Sequence, residues 1–112
     1  MTACKFVLIG AGSHSFGPMM LRDLMQCPDF YGSQVVLVDV DAAKLDLMAR
    51  LAQRMNEHWG AEFEITATSD RRQALPGAAF VVVAVEQRRW EMWRLDVEIP
   101  HKHGVKQYYG EV

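Results

Sequence analysis

Short unbroken apolar runs alternate along this chain with stretches whose apolar residues recur every three or four positions. Phe6 to Ile9 is one such run, stopped by Gly10 and Gly12. A run so short, bounded by glycine, fits a strand buried on both faces, as in a parallel sheet covered by helices. From Phe16 to Cys27 the residues Phe16, Met19, Met20, Leu24 and Cys27 fall at helical spacing, which predicts a helix with those residues on its apolar side. Pro18 is tolerated in a first turn, and Pro28, Asp29 and Gly32 mark the exit loop. A second buried strand follows from Gln34 to Asp39. Asp41 is a suitable N-cap for a helix running to about Trp59, with Leu45, Met48, Ala49, Ala52, Met55 and Trp59 on one stripe. Gly60 fits the left-handed residue that closes it.

Phe63 to Thr68 alternates apolar and polar residues, the pattern of a half-exposed strand at a sheet edge. Asp70 can cap a short helix ending at Pro76-Gly77. Phe80 to Val85 is the next wholly apolar strand. Residues 87 to 98 read as a last helix, with Trp90, Trp93 (or Arg94) and Val97 along one side and Pro100 and Gly104 beyond its end. Strand and helix therefore alternate throughout, which predicts an α/β fold: a Rossmann-like parallel sheet of four strands, order 3-2-1-4, with helices on both faces. Complete dinucleotide folds of this type have about six strands. The fourth strand here is apolar throughout, as if a further element should cover its far side. Residues 1–112 are thus expected to be a truncated N-terminal portion of a longer chain.

Composition narrows the classes. A net charge of -2, with Lys and Arg scattered among Asp and Glu, provides no basic face for nucleic acid. No run approaches the roughly 18 apolar residues of a membrane span, and the start lacks a signal-peptide pattern. Cys4 and Cys27 have no metal-type spacing, so reduced thiols and a cytoplasmic location are expected.

The candidate chemistry lies in Gly10-Ala11-Gly12-Ser13-His14-Ser15, which fits G-x-G-x-x-S between a strand and a helix. In such a turn the first glycine permits the bend and the second lets backbone approach a pyrophosphate at the helix N-terminus. Ser15, standing where the fingerprint prefers glycine, is small enough for close helix packing. The plainer reading is that these glycines serve only the turn. Asp39 ends the second strand, where a carboxylate can accept hydrogen bonds from both ribose hydroxyls and repel a 2′-phosphate, favouring NAD over NADP. Alternatively it caps the next helix, a role better suited to Asp41. The expected cofactor-binding set is Gly10, Gly12, Ser13, His14, Ser15, Phe16, Asp39, Ala84 and Val85. Glu86, Arg88 and Arg89 follow the fourth strand and can reach a nicotinamide or a substrate; equally, they can form the charged surface of the next helix. His58, His101 and His103 lack partners at metal-ligand spacing.

Four segments carry a more specific resemblance. Val7-Leu8-Ile9-Gly10-Ala11-Gly12-Ser13, Val38-Asp39-Val40-Asp41, Asp70-Arg71-Arg72-Gln73-Ala74-Leu75 and Asp96-Val97-Glu98-Ile99-Pro100-His101-Lys102-His103-Gly104-Val105 together resemble the N-terminal part of glycoside hydrolase family 4. The resemblance implies a glycosidase using NAD and a divalent metal, typically manganese, an exception to the two-carboxylate scheme. It implies oxidation of the sugar C3 hydroxyl, loss of the C2 proton, elimination of the glycosidic oxygen, addition of water and return of the hydride. The family's metal-binding Cys and His and its Tyr base lie beyond this chain, so Cys4, Cys27, Tyr108 and Tyr109 inherit no role. No catalytic or metal-binding residue is expected within it, and the fragment alone is expected to be inactive. Members acting on 6-phosphorylated sugars carry an Arg near the end of the fourth strand, where this sequence has Glu86. That favours an unphosphorylated α-glycoside or uronide as substrate. The resemblance further implies a homo-oligomer when complete. Two alternatives remain from the residues alone: a lactate- or malate-type dehydrogenase, and a non-catalytic nucleotide-binding module.

Overall fold

The computed structural model describes residues 3–13, 15–85 and 88–107. Four strands, β1 (Lys5–Ile9), β2 (Gln34–Val38), β3 (Glu64–Thr68) and β4 (Phe80–Val83), make one sheet in the order β3-β2-β1-β4. All three pairings are parallel, with Leu8 opposite Leu37 on one side and Val82 on the other. The predicted α/β class and strand order are those observed.

Alternate residues of β1 and β2 feed two cores, because successive side chains point to opposite faces. Phe6, Leu8, Val35 and Leu37 face α1 (Phe16–Met25) and α2 (Ala42–Trp59), while Val7, Val36 and Val38 meet Ala74 of the short α3 (Arg71–Ala74) on the other face. This double burial explains why both central strands read as unbroken apolar runs. The second face is thinly covered. A groove of about 270 Å³ is left there, lined by Lys5, Val36, Thr66, Thr68 and Gln73 among others.

Helix α2 follows its sequence pattern closely. Asp41 accepts the Lys44 amide at 3.1 Å, and Leu45, Met48 and Ala52 are buried. Gly60 closes the helix in the left-handed region at φ 60. Asn56 then clamps the chain into β3: its Nδ2 donates to the Phe63 carbonyl and its Oδ1 accepts the Phe63 amide, both at 2.9 Å. Phe63 is buried just before β3, so the strand starts one residue later than its pattern predicts.

Three expectations are corrected. In α1 the buried residues are Gly17, Leu21, Leu24 and Met25, whereas Phe16 and Met19 are exposed. The reason is Gly17: a Cβ there would lie 2.8 Å from the Ala11 carbonyl and 3.3 Å from Met48 Cε. The helix therefore turns its bare backbone toward the glycine turn and α2 at this point. Second, the last helix, α4, spans Arg89–Lys102 and contains Pro100. Proline removes one amide that would have reached the Asp96 carbonyl, a small loss on a helix that buries no residue and ends within a turn. The amides of Gly104 and Val105 bond the carbonyls of His101 and Pro100, both at 3.0 Å, closing it in the left-handed manner with Gly104 at φ 75. Third, β4 stops at Val83, two residues short of its apolar pattern, and Phe80, Val81 and Val83 are exposed, Val83 by 61%. With β3 it is one of the two outer strands of the described sheet.

Candidate nucleotide site

The glycine turn joins β1 to α1 beside the carboxyl ends of β2 and β4. Three successive amides of the turn are spent on the end of β2. Those of Gly10 and Ala11 donate to the Val38 carbonyl at 2.8 and 3.1 Å, and that of Gly12 to Asp39 Oδ2 at 2.8 Å. The other carboxylate oxygen, Oδ1, accepts the Asp41 amide at 2.9 Å. Asp39 is thus fixed at both oxygens by backbone.

Each glycine answers a packing demand inside the turn. Gly10 has φ 88, and a Cβ on it would overlap the Ala84 carbonyl, so the ends of β1 and β4 could not meet. At Gly12 a Cβ would stand 2.6 Å from Asp39 Oδ2 and 2.9 Å from Lys44 Cβ. The space left by its missing side chain is filled by Asp39, not held open. Close helix packing belongs to Gly17, because Ser15 is exposed and makes no side-chain cap bond. Ser13 supplies the cap instead: its Oγ accepts the Phe16 amide at 3.3 Å and its carbonyl the Gly17 amide at 2.9 Å. Gly17 and Lys44 escaped the sequence reading because the fingerprint spacing pointed to position 15. The signal available in the sequence was Gly17 itself, a glycine set inside the start of the helical pattern.

Phe16 lies with Met20, Gly10, Ala11, Val82 and Ala84 around a small apolar pocket of about 10 Å³ at the end of β1. Gly10, Gly12, Ser13, Phe16, Asp39 and Ala84 are thereby gathered at one end of the sheet. Ala84 is held there by its amide, which donates to the Ile9 carbonyl at 2.8 Å, and the exposed Val85 follows it. His14 and Glu86 lie outside the described residues. Arg88 takes a left-handed backbone at φ 45 and pairs with Glu91 at 3.5 Å, while the Arg89 guanidinium stands 5.7 Å from the Trp90 ring centre.

The donor and acceptor set fits a dinucleotide. A carboxylate oxygen has two lone pairs, so after serving the two amides Asp39 keeps one on each oxygen with which further donors could bond. A metal is another matter. Among the described residues no three His, Cys, Asp or Glu side chains are grouped to hold an ion. No described helix is long and apolar enough to cross a membrane.

A parallel sheet ordered 3-2-1-4, with a glycine turn and an acidic strand end at its switch point, defines a Rossmann-like dinucleotide-binding fold. The pattern of the family 4 glycosyl hydrolases matches residues 5–112. An alpha-glucosidase of Erwinia rhapontici is 40% identical over 110 residues, covering 97% of this chain and 24% of its own length. A 6-phospho-beta-glucosidase of Escherichia coli is 36% identical over 110 residues, covering 96% and 24%. A 6-phospho-alpha-glucosidase from gut microorganisms, solved with NAD and Mn2+, superposes with a TM-score of 0.73 at 20% identity, over 95% of this chain and 25% of that one. The chain belongs to the family 4 glycosyl hydrolases. It spans about a quarter of the length of these relatives.

Proposed function

We propose that this chain is the NAD-binding part of a glycosidase that cleaves O-glycosidic bonds by oxidation and elimination, and that residues outside it supply the metal ligands and the base. The observation that carries the reading is the Asp39 carboxylate, held against the glycine turn with one lone pair free on each oxygen. Bound NAD would supply a reversible hydride acceptor for the sugar C3 position, as the family resemblance implies. The chain's own residues then have separate tasks. Asp39 accepts the two ribose hydroxyls and repels a 2′-phosphate through its charge. The start of α1 would carry the positive end of its dipole toward the pyrophosphate, with Ser13 and Ser15 nearest among the described residues. Phe16 and Ala84 wall the small apolar pocket at the end of β1, with the exposed Val85 just beyond it.

The substrate we propose is an unphosphorylated α-glycoside. What supports this is Glu86 at the place where the family's phospho-sugar members carry Arg, together with the identity to the Erwinia rhapontici alpha-glucosidase. Arg88 and Arg89, just past β4, are proposed to contact sugar hydroxyls. NAD is expected to bind at least about tenfold more tightly than NADP in titration calorimetry, a difference of about 1.4 kcal/mol. Equal affinity, or a preference for NADP, sinks the cofactor reading. With the complete enzyme, a nitrophenyl α-glucoside should be cleaved faster than its 6-phosphate; the reverse order sinks the substrate reading.

A further inference from the structure

The turn needs something to hold it. Gly10, Ala11 and Gly12 direct their amides at the end of β2, two of them to one backbone carbonyl and the third to a side chain. That side chain also takes the Asp41 amide, so a single carboxylate ties the turn to the start of α2. Gly12 is buried, and its missing Cβ leaves the very room that Asp39 Oδ2 and Lys44 Cβ occupy. Lys44 is held in turn by its amide on Asp41 Oδ1, with its Nζ 4.0 Å from Asp41 Oδ2.

We propose that Asp39 is a positioning residue for the glycine turn as well as a ribose partner: its carboxylate, by accepting the Gly12 and Asp41 amides, sets the turn's shape before any cofactor binds. The proposal rests on the NAD reading above for the ligand, but not for the clamp. Only a carboxylate can do this at the observed reach, because both of its oxygens must accept. An asparagine offers one acceptor and turns an N–H toward the other amide. A glutamate keeps the charge and can still reach ribose hydroxyls, yet places the oxygens one methylene away from two amides fixed at 2.8 and 2.9 Å. Preforming the turn lowers the ordering cost of binding, so its loss weakens every ligand that uses the turn, including one that never touches Asp39.

Two measurements test this. The first is amide hydrogen exchange of the ligand-free protein. Asp41 is exposed, so protection of its amide reports the bond to Asp39 rather than burial. Its exchange should be at least about tenfold slower than in an unstructured chain and should lose that protection in Asp39→Asn. Exchange at the unstructured rate in the unmutated protein overturns the clamp. The second is affinity for an NAD analogue lacking both hydroxyls of the adenosine ribose, which removes the direct contact. A positioning role predicts that Asp39→Asn still weakens this analogue by about five- to tenfold, as in a double-mutant cycle that does not close. Equal affinity of the two proteins reduces Asp39 to a ribose contact. Should Asp39→Asn fail to fold, Asp39→Glu decides the matter: weakened analogue binding supports the clamp, and unchanged binding overturns it. If the unmutated protein binds no NAD at all, the functional reading falls while Asp41 exchange still decides the clamp.

Discussion

Replacing Gly12 by alanine adds one methyl group at a place where the structure has no room for it. The new Cβ would lie 2.6 Å from Asp39 Oδ2, 3.0 Å from Asp39 Cγ and 2.9 Å from Lys44 Cβ. Gly12 does not lie in the left-handed region, so alanine brings no backbone strain and the whole cost is steric. Two groups can give way. Asp39 can rotate off, forfeiting the 2.8 Å bond from the Gly12 amide, or the first turn of α2 can move back with Lys44. Forcing a methyl into a packed site costs about 1–3 kcal/mol. A hydrogen bond to a charged group contributes about 1.5–3 kcal/mol, reduced here because the freed carboxylate regains water. These are alternative routes rather than additive losses, which places the net destabilisation at about 2 kcal/mol. For a chain of this size that lowers the melting temperature by roughly 8 °C. Circular dichroism melts of Gly12→Ala measure it, with the exposed Ser15→Ala as a control expected within about 0.5 kcal/mol. A Gly12→Ala protein as stable as that control would refute the account, since it would mean that Asp39 does not occupy the space beside Gly12.

Gly10→Ala should be more damaging. Its Cβ meets the Ala84 backbone carbonyl, which cannot rotate away, and φ 88 is unfavourable for alanine; a loss above about 4 kcal/mol is expected, read as failure to give a cooperative melt. A normal melt would show that β1 and β4 can separate at this point. Asn56→Ala removes both bonds to the Phe63 backbone and should cost about 2–3 kcal/mol, measured by urea titration; a change under about 0.5 kcal/mol would show that water replaces the amide there.

Much of this protein is legible in its sequence because both central strands are buried on two faces. Val35-Val36-Leu37-Val38 and Phe6-Val7-Leu8 need apolar side chains at every position, so they stand out without any structure. The cap at Asp41 and the stop at Gly60 are local chemistry, settled within a few residues, and so is the N-terminal stripe of α2. Strand order follows from alternation and the handedness of crossovers. Other features depend on what lies opposite. The spacing of α1 allows several apolar faces, and only the approach of Gly17 to Ala11 and Met48 selects the buried one. β4 is as apolar as its neighbours in sequence, yet among the described residues its side chains Phe80, Val81 and Val83 are exposed. Pro100 reads as a helix stop, and its tolerance comes from the solvent around α4. The glycine turn shows the division most clearly. The sequence by itself determines that a strand, a tight turn and a helix meet there, because glycine and apolar periodicity act locally. Tertiary structure decides that Gly12 makes room for a carboxylate twenty-seven residues away, since a side chain's partner across the sheet depends on register and packing rather than on any neighbour in the chain.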